Sequence, residues 1–330
     1  MKPFLFALLL WAILFAPGRA GEPRRPNILV IMADDLGYGD ISCQGAKTYQ
    51  APNIDRLASE GIRFTSGYSS ASTCTPTRYS FLTGMYAFRT EGTGIAPPAA
   101  PAIIRPVIPM LPGTLASVGY RTAVIGKWHL GLGGPDGPDW NGEITPGPLE
   151  IGFQHCFLLP TTNDRVPQVF LQDRRVLNLD PADPIRIHPK KPSDDHPTGL
   201  EQRESLKLDW THGHNNTIHN GISRIGFYTG GKGARFRDED LADEWVKRSV
   251  AWIEETREQP FFLFFGAHEP HVPRMPHERF QGKTPHGYRS DSILELDWTV
   301  GELINALDRL GIAGDTLVVL CSETGPGTDD

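Results

Sequence analysis

The sequence predicts an α/β fold, a mixed and mostly parallel sheet sandwiched by helices, and three observations carry that prediction. Short apolar runs recur without polar alternation, the pattern of strands buried on both faces. Helical periods lie between them, so helix and strand alternate along the chain. Directly beyond each run stand ionisable or oxygen-bearing residues, at the strand ends where an open parallel sheet receives its ligand.

The first run, Asn27–Ala33 (NILVIMA), ends at Asp34-Asp35. Next comes Ser72-Thr73-Cys74-Thr75-Pro76-Thr77-Arg78, where Pro76 suits the first turn of a helix and Gly84 its end. Cys74 then sits at the positive helix N-terminus, and Arg78, four residues on, shares its face and can hold an anionic oxygen. Thr122–Gly126 (TAVIG) leads into Lys127-Trp128-His129. Gly131–Pro148 and most of Pro160–Gly233 lack a sustained period and are rich in Gly, Pro, Asn and Asp, so they read as long loops over the catalytic end. His212, His214 and Lys232 fall in those loops and Arg235 just past them, and all four read as solvated.

A helix over Asp238–Glu258 places Leu241, Trp245, Ser249, Trp252 and Ile253 on one face. Phe261–Gly266 follows and ends at His268-Glu269-Pro270-His271. A second amphipathic helix, Ser290–Leu310, carries Ile293, Leu296, Val300, Leu303, Ile304 and Leu307 at spacings of three and four. The last run, Thr316–Cys321, leads to Ser322-Glu323-Thr324-Gly325. Singly, each tip has a plainer reading as a helix cap, a solvated side chain or a proline-shaped turn. Cys74 alone reads equally as a buried or bridged cysteine. Four such tips at one end of one sheet favour a site.

Composition bounds the partners. The 330 residues carry 32 basic and 39 acidic side chains, a net charge of −7, which argues against nucleic acid. A hydrophobic fraction of 39% and a charged fraction of 22% suit a folded chain with a sizeable core. Lys2, the apolar run from Phe4 to Ala16 and Gly18-Arg19-Ala20 read as a signal peptide over 1–20, too short to span a bilayer comfortably once mature. The chain is therefore expected in the periplasm or extracellular space, with residues 21–330 as the catalytic domain and no stable membrane span. Its four cysteines are too few for a disulfide framework and allow at most two bridges.

Cys74-Thr75-Pro76-Thr77-Arg78 resembles the signature of the type I sulfatases of the alkaline-phosphatase-like superfamily. Arg25 to Asp40, Ala51 to Ala58, Gly126-Lys127-Trp128-His129-Leu130-Gly131 and Pro270-His271-Val272-Pro273 resemble further segments of that family in the same order. The resemblance implies a sulfuric ester hydrolase whose cysteine, here Cys74, is oxidised by a maturase to formylglycine and hydrates to a geminal diol that attacks sulfur. It implies a divalent cation, calcium or alternatively magnesium, held by Asp34, Asp35, Cys74, Glu323 and Thr324. Arg78 and Lys127 would stabilise the diol and the sulfate, His129 would serve as base for sulfate expulsion, and His271 would protonate the leaving alcohol. His268 reads either as their neighbour or as a loop histidine. The substrate class implied is a sulfated small molecule or, given the long loops, a sulfated glycan.

Two features depart from the pattern. Ser322-Glu323-Thr324-Gly325 stands where the family shows Ser-Asp-Asn-Gly, and the chain reaches Asp330 before a second sulfate-binding lysine and a smaller C-terminal subdomain. An N-terminal catalytic portion without that subdomain is therefore expected. The departures keep two alternatives open: a non-catalytic relative that binds sulfated ligands, and a phosphate mono- or diester hydrolase on the same scaffold.

Overall fold

The computed structural model describes residues 25–107, 109–209 and 213–326. The expected signal peptide at 1–20 and His212 lie outside the described residues. Among the described residues eleven strands form: β1 (Asn27–Ala33), β2 (Arg121–Lys127), β3 (His155–Leu159), β4 (Leu171–Gln172), β5 (Arg175–Val176), β6 (Arg186–His188), β7 (Ile218–His219), β8 (Ile222–Ser223), β9 (Phe227–Thr229), β10 (Phe261–Gly266) and β11 (Thr316–Ser322). Seven make one sheet in the order β11-β1-β10-β2-β3-β4-β5. Its first four pairings are parallel and the last two antiparallel, the mixed and mostly parallel sheet expected.

The lack of alternation in the apolar runs has its reason in the two cores. Leu29, Ile31, Phe261, Leu263 and Phe265 face a cluster with Trp245, Ile253, Leu296 and Val300, whereas Val30, Met32, Phe262 and Phe264 face another with Tyr79, Leu82 and Met110. Helices α1 (Pro52–Glu60), α4 (Leu241–Thr256) and α5 (Tyr288–Arg309) cover the first face; α2 (Cys74–Thr83) and α3 (Leu111–Ser117) cover the second. The carboxylate of Asp297 on α5 accepts from the backbone N–H of Ile54 at 2.9 Å and from Asn53 Nδ2 at 2.8 Å, an anion at the start of α1 that fixes the two helices together.

β3 was not foreseen, because only Phe157, Leu158 and Leu159 of its five residues form an apolar run. Most of Pro160–Gly233 is loop, as expected. Three short antiparallel pairings, β4 with β5, β6 with β9 and β7 with β8, organise it, each too short to show a period. All four cysteines are free, where the sequence left their pairing open. Among the described residues no helix is long and apolar enough to cross a membrane.

Candidate active site

The site lies at the carboxyl ends of β1, β2, β10 and β11. Helix α2 begins at Cys74, as Pro76 in its first turn predicts, and ends at Gly84, whose φ of 70° and N–H bond to the Ser80 carbonyl close the helix. Cys74 is thereby held at the helix N-terminus, buried, with Arg78 fully buried behind it. Arg78 Nη1 donates to the Lys127 carbonyl at 2.6 Å, and its Nε pairs with Glu323. Lys127 Nζ pairs with Asp34 and lies 3.4 Å from Glu323. Gly266 makes room for this packing. A Cβ there would stand 2.4 Å from the Lys127 carbonyl and 2.9 Å from Arg78 Nη1.

Two acids and two bases therefore share one dry site, and each sets its neighbours' titration. Burial opposes charge on Lys127, yet Asp34 and Glu323 hold its ammonium above the usual range. Burial likewise opposes charge on Glu323, but Arg78 and Lys127 keep it well below the ordinary carboxylate range. Asp34 goes the other way, raised by burial and by Glu323. Burial pushes the Cys74 thiol up to about 12, so at neutral pH it is protonated and a poor nucleophile as it stands.

His129 and Asp35 occupy left-handed backbone, at φ 56° and 59°, conformations that cost about 1–3 kcal/mol and mark functional sites. The Thr75 hydroxyl donates to the His129 carbonyl at 2.9 Å, tying α2 to the tip of β2. The His129 ring is buried, with Nε2 3.1 Å from the Ala96 carbonyl and Nδ1 free of any partner. Burial, Lys127 and Arg165 hold its pKa well below the usual value, so the ring is neutral. His271 Nε2 stands 3.8 Å from Asp35 Oδ2. Thr324 donates to the other oxygen of Asp35 at 2.9 Å.

Ligand atoms of Asp34, Cys74 and His271 lie within 4.8 Å of one another. Of the expected metal set, the structure brings Asp34 and Cys74 into that cluster, engages Glu323 with Arg78 and Lys127, and uses the Thr324 hydroxyl to hold Asp35. His268 is no solvated loop residue: it is buried, bonds Asn163 and lies 5.8 Å from the His271 ring.

A family model described as Sulfatase matches residues 26–330. The chain belongs to the sulfatase family. Its relatives include the N-acetylgalactosamine-6-O-sulfatase of Bacteroides thetaiotaomicron, 49% identical over 307 residues that cover 93% of this chain and 60% of the relative. Steryl-sulfatase of Mus musculus is 33% identical over 367 residues, 100% of this chain and 57% of the relative. A solved Bacteroides thetaiotaomicron structure reported under metabolism of multiple glycosaminoglycans superposes with a TM-score of 0.91 at 49% identity, over 93% of this chain and 64% of that one. A phosphonate monoester hydrolase of Agrobacterium radiobacter shares the fold alone, with a TM-score of 0.55 and 17% identity, over 91% of this chain and 62% of that one. The sulfatase chain thus spans 57–60% of the length of these two curated relatives.

The sulfatase family implies a formylglycine and a divalent cation, and the residues present fit both. Asp34 Oδ1 is buried without a partner, while Asp34 and Glu323 repel one another across the site. An oxygen-bearing side chain in place of the soft thiol of Cys74 completes a donor set suited to a hard cation.

Sequence reasoning missed the turn after β3, Thr161 to Arg165. Asn163 joins it to the His268 segment. Asp164, buried, accepts from Thr162 and from His214 Nε2, the latter at 3.1 Å. His214 is therefore buried, correcting the solvated reading. Lys232 is exposed, and Arg235 lies 4.6 Å over the Tyr228 ring. The signal was the one used at the other tips, an apolar run ending in polar residues, but here the run was three residues long.

Proposed function

We propose that this chain is the catalytic portion of an exported sulfatase that hydrolyses sulfate esters of glycans, with Cys74 converted to formylglycine by a maturase and calcium, or alternatively magnesium, as the cation. The observation that carries this reading is Cys74 at the start of α2, backed by Arg78 and within 4.8 Å of ligand atoms of Asp34 and His271. A thiol held near 12 does not explain such a setting, whereas an aldehyde hydrate does. Asp34, Asp35, Glu323 and Thr324 are the side chains that would hold the cation, which when bound supplies charge for an oxygen nucleophile and for the sulfate oxygens.

The chain's own residues then divide the work. Arg78 and Lys127 present fixed positive charge in a low-dielectric site, so little reorganisation is needed as charge moves to the leaving oxygen. His129, neutral with Nε2 committed to the Ala96 carbonyl, offers Nδ1 as a proton acceptor for sulfate expulsion. His271, whose Nδ1 is committed to the Val272 carbonyl, would serve as the acid for the departing alcohol through Nε2 once a second proton is bound there. Export through a leader at 1–20 accords with Lys2 and the apolar run that follows it. The relative named for N-acetylgalactosamine-6-O-sulfate supplies the first substrate to try.

The test is a comparison of esters on protein co-produced with a maturase. Inorganic sulfate release from N-acetylgalactosamine-6-O-sulfate and nitrophenyl sulfate should exceed phosphate release from nitrophenyl phosphate. Faster phosphate release would move the reading to a phosphoester hydrolase. A second reading, ligand binding without turnover, is favoured by one observation: Glu323 occupies both Arg78 and Lys127. It predicts tight binding of the sulfated sugar with no sulfate released.

A further inference from the structure

Arg165 stands beside His129 with no acid in direct contact with its guanidinium. Among the described residues it makes no ion pair: its Nη1 lies 3.2 Å from His129 Nε2 and 3.4 Å from Thr162 Oγ1. The approach to His129 satisfies neither group. Nε2 is also 3.1 Å from the Ala96 carbonyl, an acceptor that requires Nε2 to carry the proton, and a protonated nitrogen cannot accept from a guanidinium. Five N–H donors are thus left with one long contact to a hydroxyl.

The neighbouring Asp164 interacts with Arg165 through charge alone, because its hydrogen bonds go elsewhere. Asp164 spends one carboxylate oxygen on Thr162, the other on His214 and its carbonyl on the Ile225 N–H at 2.7 Å. The Arg165 backbone is equally fixed, its N–H donating to the Thr162 carbonyl at 3.1 Å and its carbonyl accepting from Gln168 Nε2 at 2.6 Å. Thr161 to Asp164 are buried while Arg165 is partly open, so the guanidinium marks the rim of the site. Arg78 and Lys127 already face Glu323 and Asp34, so Arg165 is the cation nearby that lies outside that network and keeps its donors open at the rim.

We propose that Arg165 is a specificity residue that binds a second anionic group of the substrate, a carboxylate or a further sulfate, beside the ester being cleaved. The planar fork of donors matches either oxyanion in a bidentate way. This rests on the sulfatase reading above. The specificity would be for polyanionic glycans over singly sulfated sugars.

The test compares three substrates on the matured chain: N-acetylgalactosamine-6-O-sulfate, the same sugar with a second sulfate, and a disaccharide in which it adjoins a uronate. In Arg165→Gln the ratio of kcat/KM for a doubly charged substrate over the singly charged one should fall about 10- to 100-fold, the size of a charge-assisted contact. Arg165→Lys should fall between the two. A drop confined to the disulfated sugar identifies sulfate as the partner, and one confined to the disaccharide identifies the carboxylate. The same ratio is read as binding affinity in Cys74→Ser, which answers the question even where no ester is turned over. Turnover failing on every ester would sink the sulfatase reading by itself; an unchanged or raised ratio in Arg165→Gln, by either measure, would overturn the role of Arg165.

Discussion

The two halves of the site hold charge in opposite ways. At the tips of β1, β2 and β11, Asp34, Lys127 and Glu323, with Arg78 from α2, are fully buried and balance two acids against two bases. At the turn after β3, Asp164 is hydrogen-bonded by a hydroxyl and an imidazole, and Arg165 makes no direct ion pair among the described residues. Loss of one member of the first set strands another charge in a dry interior, where no water can replace it. The second set reaches the rim, where solvent or a ligand can take up the difference. Direct ion pairs fix geometry, and a guanidinium with open donors is free to recognise.

The largest effect expected is on the reaction itself. Cys74→Ala should lower turnover by roughly four orders of magnitude or more, as loss of a nucleophile does, without lowering the unfolding free energy comparably. Lys127→Ala strands Asp34, while Glu323 keeps Arg78, and should cost about 3–5 kcal/mol in urea unfolding, whereas Arg165→Ala should cost less than about 1 kcal/mol. Equal losses would erase the distinction between the halves. Gly266→Ala drives a methyl group against Arg78 and the Lys127 carbonyl, an overpacking cost of about 1–3 kcal/mol with reduced kcat.

Smaller effects follow from protonation and redox state. Asp164 is buried, which disfavours its charge, but His214 and Arg165 hold its pKa well below the ordinary carboxylate value. Its contribution is thus complete above the unfolded value of about 4 and is lost as pH falls toward its own lower one. Asp164→Asn should flatten that acid limb and cost about 1–2 kcal/mol at neutral pH, read from urea unfolding across pH. Reductant should leave Tm unchanged, since all four cysteines are free.

The balanced half was largely legible in the sequence. Asn27–Ala33 and Phe261–Gly266 form strands with the expected bounds, and Pro76 and Gly84 bracket α2 as capping chemistry requires. Regular elements carry Asp34, Cys74, Arg78 and Lys127 to one place because strand period and helix phase fix where a tip points. The rim was not legible. Asn163, Asp164 and Arg165 lie in an irregular turn held by Arg224, Gln168 and Ile225, partners distant in sequence or off any period. The two-against-two pairing at Glu323 was hidden for another reason: the longer side chain was weighed as a metal ligand, not as a partner for Arg78 and Lys127.

The central claim is that Cys74 acts as a formylglycine in a sulfate ester hydrolase. Mass spectrometry of the peptide containing Cys74, from chain co-produced with a maturase and assayed in parallel for sulfate release, tests it most directly. An aldehyde at Cys74, in a fraction that tracks the rate of sulfate release, is the predicted result. Sulfate release from a chain that carries only the unmodified thiol would contradict it.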